Sequence, residues 1–416
     1  MQKYSDVVER FMRYVQIDSQ SNPNNDTVVP STGIQFDMAR EVYNDLLELG
    51  CEQVKLDEHA YVTASVPATK GLEHLPALGF CTHLDSSFDA PAEGVKPHIV
   101  HYEGGNLVAG VVDGKEIFTT PEEVPYLNQF IGEDIICSDG STLLSVDDKA
   151  GVAEIISLID RYNKHPELKH PSIKLAFVPD EEIGHGAKLL DLEEFGATWA
   201  YTIDSGALGK FNYECFNASS AKVLVHGTVV HPGTAKNRMV NAAVVLNEFH
   251  SMLPEFERPE HTDGYEGFFH LVEIQGSSHE ASFTYIVRDF DSEGFAAREQ
   301  LLRDIAEFLN KRYGEGVVEV IFKQHYRNMA ERFNDCHFLI DNALEAYKSI
   351  GVVPNVTPIR GGTDGAQLTF RGLPCPNLAT GGTSAHSIRE FIPVIALEKT
   401  VDMLEYLVNL FTVEQK

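Results

Sequence analysis

Residues 173–184 read Ile-Lys-Leu-Ala-Phe-Val-Pro-Asp-Glu-Glu-Ile-Gly, an apolar, strand-like run that breaks into three consecutive carboxylates. A carboxylate cluster at the end of a buried strand is costly unless positive charge sits there, and a metal ion is the strongest candidate to supply it. Three more segments are built the same way. Ala77–Thr82 runs into His83-Leu-Asp85, Thr142–Val146 into Asp147-Asp148-Lys149, and Trp199–Ile203 into Asp204-Ser-Gly206. Between Val146 and Ile173, the residues Val152, Ile155, Ile156 and Ile159 recur at i, i+3, i+4 and i+7, which is helical spacing. Strands alternating with helices predict an α/β fold with a mostly parallel, mixed sheet flanked by helices. Ligands of such sheets bind beyond the carboxyl ends of the strands, where all four polar clusters fall.

Ser5–Val15 and Thr32–Leu49 also read as helices, the second closed by Gly50. The pattern changes after about Phe211. Ser219–Val225 is strand-like and Met239–Leu253 helical. Gly267–Gln275 and Ala281–Asp289 form a strand pair, followed by a helix over Ser292–Tyr313 and a strand over Val317–His325. This β-α-β-β-α-β order is ferredoxin-like. The expected organisation is therefore a catalytic α/β domain over 1–211 and 328–416, interrupted by an inserted ferredoxin-like α+β domain over 212–327. Helices at Asp335–Ile350 and Pro393–Thr412 flank two glycine-rich stretches, Arg360-Gly-Gly-Thr-Asp-Gly365 and Gly381-Gly-Thr-Ser-Ala-His386.

A formal net charge of -29 argues against nucleic acid as a partner, because phosphate contacts need clustered Lys and Arg. No apolar run approaches the ~20 residues of a membrane span. The chain opens on a polar segment rather than a signal-peptide pattern, and its six cysteines are scattered without a Cys-x-x-Cys pair. A reducing, cytoplasmic setting is expected, with the cysteines acting as small buried apolar residues.

The candidate ligands are His83, Asp147, Glu182, Asp204 and His386. Two imidazoles and three carboxylates suit Zn²⁺, Co²⁺ or Mn²⁺ better than Ca²⁺, which prefers an all-oxygen cage. Five ligands exceed what one catalytic zinc uses, so two metals sharing a carboxylate is the sensible reading. Asp147 is the natural bridge, at the start of a helix whose dipole favours a carboxylate. Asp85, two residues after His83, can hydrogen-bond the imidazole and orient it. Glu181, diverging from its neighbour Glu182, can face a metal-activated water as general base. A lone His-x-Asp or Glu-Glu pair carries little information. Their joint recurrence after apolar strands carries the inference.

Taken together, Thr82-His-Leu-Asp-Ser-Ser, Ser145-Val-Asp-Asp-Lys-Ala-Gly151, Phe177-Val-Pro-Asp-Glu-Glu-Ile-Gly184, Tyr201-Thr-Ile-Asp204 and Pro358-Ile-Arg-Gly-Gly-Thr-Asp-Gly-Ala-Gln367 resemble the peptidase T family. These are tripeptide aminopeptidases among the dinuclear zinc exopeptidases, related to aminoacylase and carboxypeptidase G. His231-Pro-Gly-Thr-Ala-Lys236 and Arg288-Asp-Phe-Asp291 extend the resemblance into the inserted domain, so it spans essentially the whole chain. The resemblance implies one zinc on His83, Asp147 and Asp204, and a second on Asp147, Glu182 and His386. It implies that Asp85 orients His83, that Glu181 is the general base, and that the Asp147–Asp148 peptide is cis. His231 would reach the partner subunit's active site to help hold the tetrahedral oxygen, and Arg288 would bind the substrate's free carboxylate. The inserted domain would form a homodimer, and short peptides, above all tripeptides, would be the substrate. The segment Gly381–Phe391 departs from the family's Gly-Gly-x-Asn-x-His-Gly-Lys-x-Glu-Phe pattern, keeping the histidine and changing neighbours that would meet the substrate's amine. The alternative is a deacylase of N-acyl amino acids, or a carboxypeptidase-like hydrolase, on the same two-metal site.

Overall fold

A computed structural model describes residues 4–415. The chain divides into two compact units. One comprises the chain up to Tyr213 together with Arg332–Thr357 and Thr363 onward, and the other comprises Glu214–Glu331 and Pro358–Gly362.

The first unit is built on an eight-stranded mixed sheet. Its centre is parallel: Leu78–His83 lies between Ile173–Val178 and Trp199–Ile203, and Asn377–Leu378 follows on the far side of Trp199–Ile203. Antiparallel strands Val62–Val66 and Glu52–Leu56 extend one edge. Every residue of Leu78–His83 is buried. Parallel strands with both faces covered read as continuous apolar runs, and this is why these segments lack an in-out alternation. On one face Cys81, Ala176, Val178 and Ala200 pack with Phe195 and Leu368 from flanking helices. The opposite face meets the helix Val146–Lys164, where the Thr82 hydroxyl donates to the Asp148 carboxylate. Gly151 lies in the first turns of that helix because of this close approach. A Cβ there would sit 2.6 Å from the Ile203 carbonyl oxygen.

Three of the four expected strands are present in this sheet. Thr142–Val146 is not a strand. Val146 already begins the helix, and Ser145 is left-handed with φ 60°. The backbone N–H groups of Leu144 and Ser145 donate to the Glu390 carboxylate, at 2.8 and 2.6 Å, instead of to a neighbouring strand. The strand nearest in sequence is Glu133–Cys137, central in a separate three-stranded sheet with His98–Tyr102 and Phe391–Pro393.

The second unit is a four-stranded antiparallel sheet ordered Phe268–Gly276, Glu280–Asp289, Asn217–His226, Val318–Tyr326. The helices Ala242–Ser251 and Ser292–Tyr313 pack on it, burying Val245, Leu246, Phe249, Leu302, Ile305 and Leu309 against Val223, Phe283 and Val287. This is the expected β-α-β-β-α-β order. Pro358–Gly362 belongs here rather than with the catalytic unit in which the domain reading placed it. The Arg360 guanidinium donates to the carbonyls of Gly264 and Glu266 at 2.7 and 3.1 Å and to the Thr262 hydroxyl at 3.1 Å, and it lies over the Phe216 and Phe268 rings.

All six cysteines are free and five are buried. Among the described residues no helix is long and apolar enough to cross a membrane.

Candidate metal centre

His83 ends its strand with a ring that is 2% exposed. Its Nδ1 faces the backbone carbonyl of Asp85 at 3.0 Å. A carbonyl only accepts, so Nδ1 carries a proton and donates it there. Nε2 then points at Asp147 Oδ1, 2.8 Å away, with Asp204 Oδ1 at 3.9 Å. The second imidazole converges from the other side: His386 Nε2 lies 2.9 Å from Glu182 Oε2 and 3.6 Å from Asp147 Oδ2. The two oxygens of Asp147 therefore face different histidines. Ligand atoms of His83, Asp147 and Asp204 lie within 4.8 Å of one another, and so do those of Asp147, Glu182 and His386. The five sequence candidates thus meet in two triads with Asp147 in common. The Asp147–Asp148 peptide is cis.

The supporting groups are as well defined. The Asp85 carboxylate accepts from the backbone N–H of Glu181 at 3.0 Å and of Glu182 at 3.2 Å, and it reaches His83 Nδ1 only at 3.4 Å. The backbone carbonyl of Asp85 thus supplies the short contact that orients His83, and its side chain chiefly fixes the Glu181–Glu182 backbone. Asp180, fully buried and left-handed at φ 58°, accepts from the Ser31 N–H at 2.6 Å and from Gln35 Nε2 at 2.6 Å. Asp148 is also fully buried, accepting from the His83 N–H at 3.2 Å.

The electrostatics of the cluster favour added positive charge. Burial opposes protonation of His83, but Asp147 and Asp85 outweigh it and hold its pKa well above the ordinary histidine value. Asp147 and Glu182 push His386 up to about 11. Burial raises Glu182 to about 7, with His386 pulling the other way, and burial followed by Asp147 raises Asp204 well above the carboxylate range. Glu181 is raised by burial and by neighbouring Asp364. Carboxylates that resist ionising beside imidazoles that resist losing protons mark a strongly cation-attracting site. The donor set fits a metal: Glu182 Oε1 is buried with no hydrogen-bond partner among the described residues, and both Nε2 atoms point into the cluster. A mixed nitrogen and oxygen set suits Zn²⁺, Co²⁺ or Mn²⁺.

His231 and Arg288 lie in the second unit. His231 is exposed, its Nδ1 accepting from the Gly233 N–H at 3.1 Å. Arg288 is half-buried, donating to the carbonyls of Ser219 and Val287 at 3.1 and 2.9 Å with its guanidinium over Tyr326. Two residues of the centre went unread in the sequence. Asp89 accepts from His386 Nδ1 at 2.8 Å, and Glu390 accepts from the His386 N–H at 3.1 Å. A carboxylate six residues after His83 and another four after His386 give no periodic signal. Only the fold brings them to one ring.

His83, Glu182 and Asp204 end or follow parallel strands and meet Asp147 and His386 in two triads that share one carboxylate, the arrangement of a two-metal hydrolase. The M20 peptidase dimerisation domain matches residues 213–317. Peptidase T of Caldanaerobacter subterraneus subsp. tengcongensis is 47% identical over 408 residues, which is 98% of this chain and 99% of that protein. The chain belongs to the peptidase T family. Its fold is also that of aminopeptidase PepT from Bacillus cereus, with a TM-score of 0.76 at 23% identity over 98% of each chain. A dinuclear metal-binding M20 peptidase from Bacillus subtilis shares it with a TM-score of 0.65 at 16% identity over 97% of each chain.

Proposed function

We propose that this chain removes the N-terminal residue of short peptides, tripeptides foremost, with two Zn²⁺ ions per subunit, Co²⁺ or Mn²⁺ being able to replace them. The observation that carries the reading is Asp147, whose oxygens face His83 and His386 separately. His83, Asp147 and Asp204 would hold one ion, and Asp147, Glu182 and His386 the other. When bound, such a pair lowers the pKa of water and polarises a carbonyl. Glu181 takes the proton of the attacking water and delivers it to the leaving amine. Its backbone is pinned by Asp85, and burial raises its proton affinity above that of an ordinary carboxylate, as a general base needs. The family name and the aminopeptidase description of the Bacillus cereus structure support an N-terminal cut.

The test is a series of di- to pentapeptides, each free and N-acylated, with products identified. Free tripeptides should be cut after the first residue and N-acylated ones should resist. Preferred cleavage of the blocked series would instead establish the deacylase alternative.

The second unit supports a homodimer, since its sheet leaves Val272, Ile274 and Ile321 exposed. In this arrangement His231 acts on the centre of the other subunit as a donor to the developing oxyanion, and Arg288 binds the peptide's free carboxylate. Mixing inactive His231→Ala and Glu181→Ala chains should then restore part of the activity, because one hybrid centre is complete. No recovery despite demonstrated subunit exchange would refute the role of His231. The free cysteines fit a cytoplasmic location, and the net charge of -29 fits a partner other than nucleic acid.

A further inference from the structure

His386 differs from the other four ligand candidates. It is exposed and sits in a loop on left-handed backbone, φ 63°, with Ser384 at φ 60°. His83, by contrast, closes a buried strand and has its Nδ1 bound by a main-chain carbonyl. An exposed imidazole has rotamer freedom that must be lost before it can present one nitrogen to an ion. Two carboxylates outside the ligand set restrain it. Glu390, 2% exposed, is the main-chain anchor: it binds the His386 N–H and the N–H groups of Leu144 and Ser145, fastening the His386 loop to the segment that leads into Asp147. The ring itself is held by Asp89, whose Oδ2 lies 2.8 Å from Nδ1. Asp89 is in turn fixed by Ser87, whose hydroxyl donates to Oδ2 at 3.1 Å and accepts from the Asp89 N–H at 3.3 Å.

We propose that Asp89 is a positioning residue for His386, setting its tautomer and ring direction so that Nε2 faces Glu182 and Asp147. The assignment rests on the two-metal reading and deepens it. A carboxylate on the far nitrogen of a ligating imidazole orients the ring and makes it a stronger donor. One short segment, His83 to Asp89, then serves both triads: it supplies a ligand to the first and steers a ligand of the second. The two subsites depend on Asp89 unequally, and this asymmetry can be measured without turnover.

Metal-free full-length wild type, Asp89→Ala and Asp89→Asn would be titrated with Co²⁺, following visible absorption and heat. Wild type should take two equivalents. Asp89→Ala should lose about 10- to 100-fold in affinity for one equivalent and leave the other within about twofold. Asp89→Asn, whose amide oxygen can still accept from Nδ1, should recover part of the loss. Adding Asp89→Ala to His386→Ala should weaken that equivalent no further. Two equivalents unchanged in Asp89→Ala, or both weakened alike, would overturn the assignment while the two-metal reading stood. Failure of wild type to take two would overturn both.

Discussion

Glu181→Gln should reduce kcat by roughly 10²- to 10⁴-fold, the usual contribution of a positioned proton-transfer group, with metal content equal to wild type. The expectation follows from how the residue is built into the site. Its main-chain N–H, not its side chain, carries the hydrogen bond to Asp85, so glutamine leaves the Glu181–Glu182 backbone in place. Neither triad includes Glu181, so losing its charge removes no ligand. What is lost is a carboxylate whose proton affinity has been raised by burial and by Asp364. Elemental analysis of the same sample used for kinetics separates the outcomes. Activity within a few-fold of wild type, or inactivity accompanied by metal loss, would defeat the general-base assignment.

Asp147→Ala should have the larger effect on metal content. Both triads contain Asp147, whereas Asp204 belongs to one and Glu182 to the other. Removing Asp147 should therefore abolish tight binding of both equivalents, and Asp204→Ala should cost one. Equilibrium dialysis against Zn²⁺ with metal quantification distinguishes the two patterns. An Asp147→Ala protein that keeps one equivalent as tightly as wild type would show that the carboxylate is not shared.

The sequence makes the centre legible through repetition. Ile173–Val178 and Trp199–Ile203 are buried on both faces, so each reads as an apolar run and each change to polar residues marks a strand's carboxyl end. The ferredoxin-like unit is legible because its strands run 9 or 10 residues and its helix Ser292–Tyr313 runs 22. Thr142–Val146 misleads for a physical reason. The segment is apolar because it is buried, yet the N–H groups of Leu144 and Ser145 are satisfied by a side chain distant in sequence, Glu390, and that of Leu143 by the Pro91 carbonyl, not by a ladder. Local pattern cannot distinguish these two ways of satisfying a buried backbone. Asp89 and Arg360 escape notice similarly. Each acts on groups brought near only by folding, Asp89 on His386 and Arg360 on the carbonyls around Gly264. The orienting role read for Asp85 is split in the structure, the carbonyl serving His83 and the carboxylate serving the Glu181–Glu182 backbone.

The Glu390 clamp has a consequence for the order in which the protein is made. His83, Asp147 and Asp204 all leave the ribosome before the inserted unit, and could be thought to form a working half-centre early. The loop entering Asp147 is held in part by early residues, Pro91, Ser138 and Ser86, but the N–H groups of Leu144 and Ser145 wait for Glu390, which emerges after that unit, together with His386. A nascent chain therefore carries most of its ligands for much of its synthesis without a finished hydrolytic centre. Completion falls to the late segment, which brings both His386 and the Glu390 carboxylate that joins it to the early one.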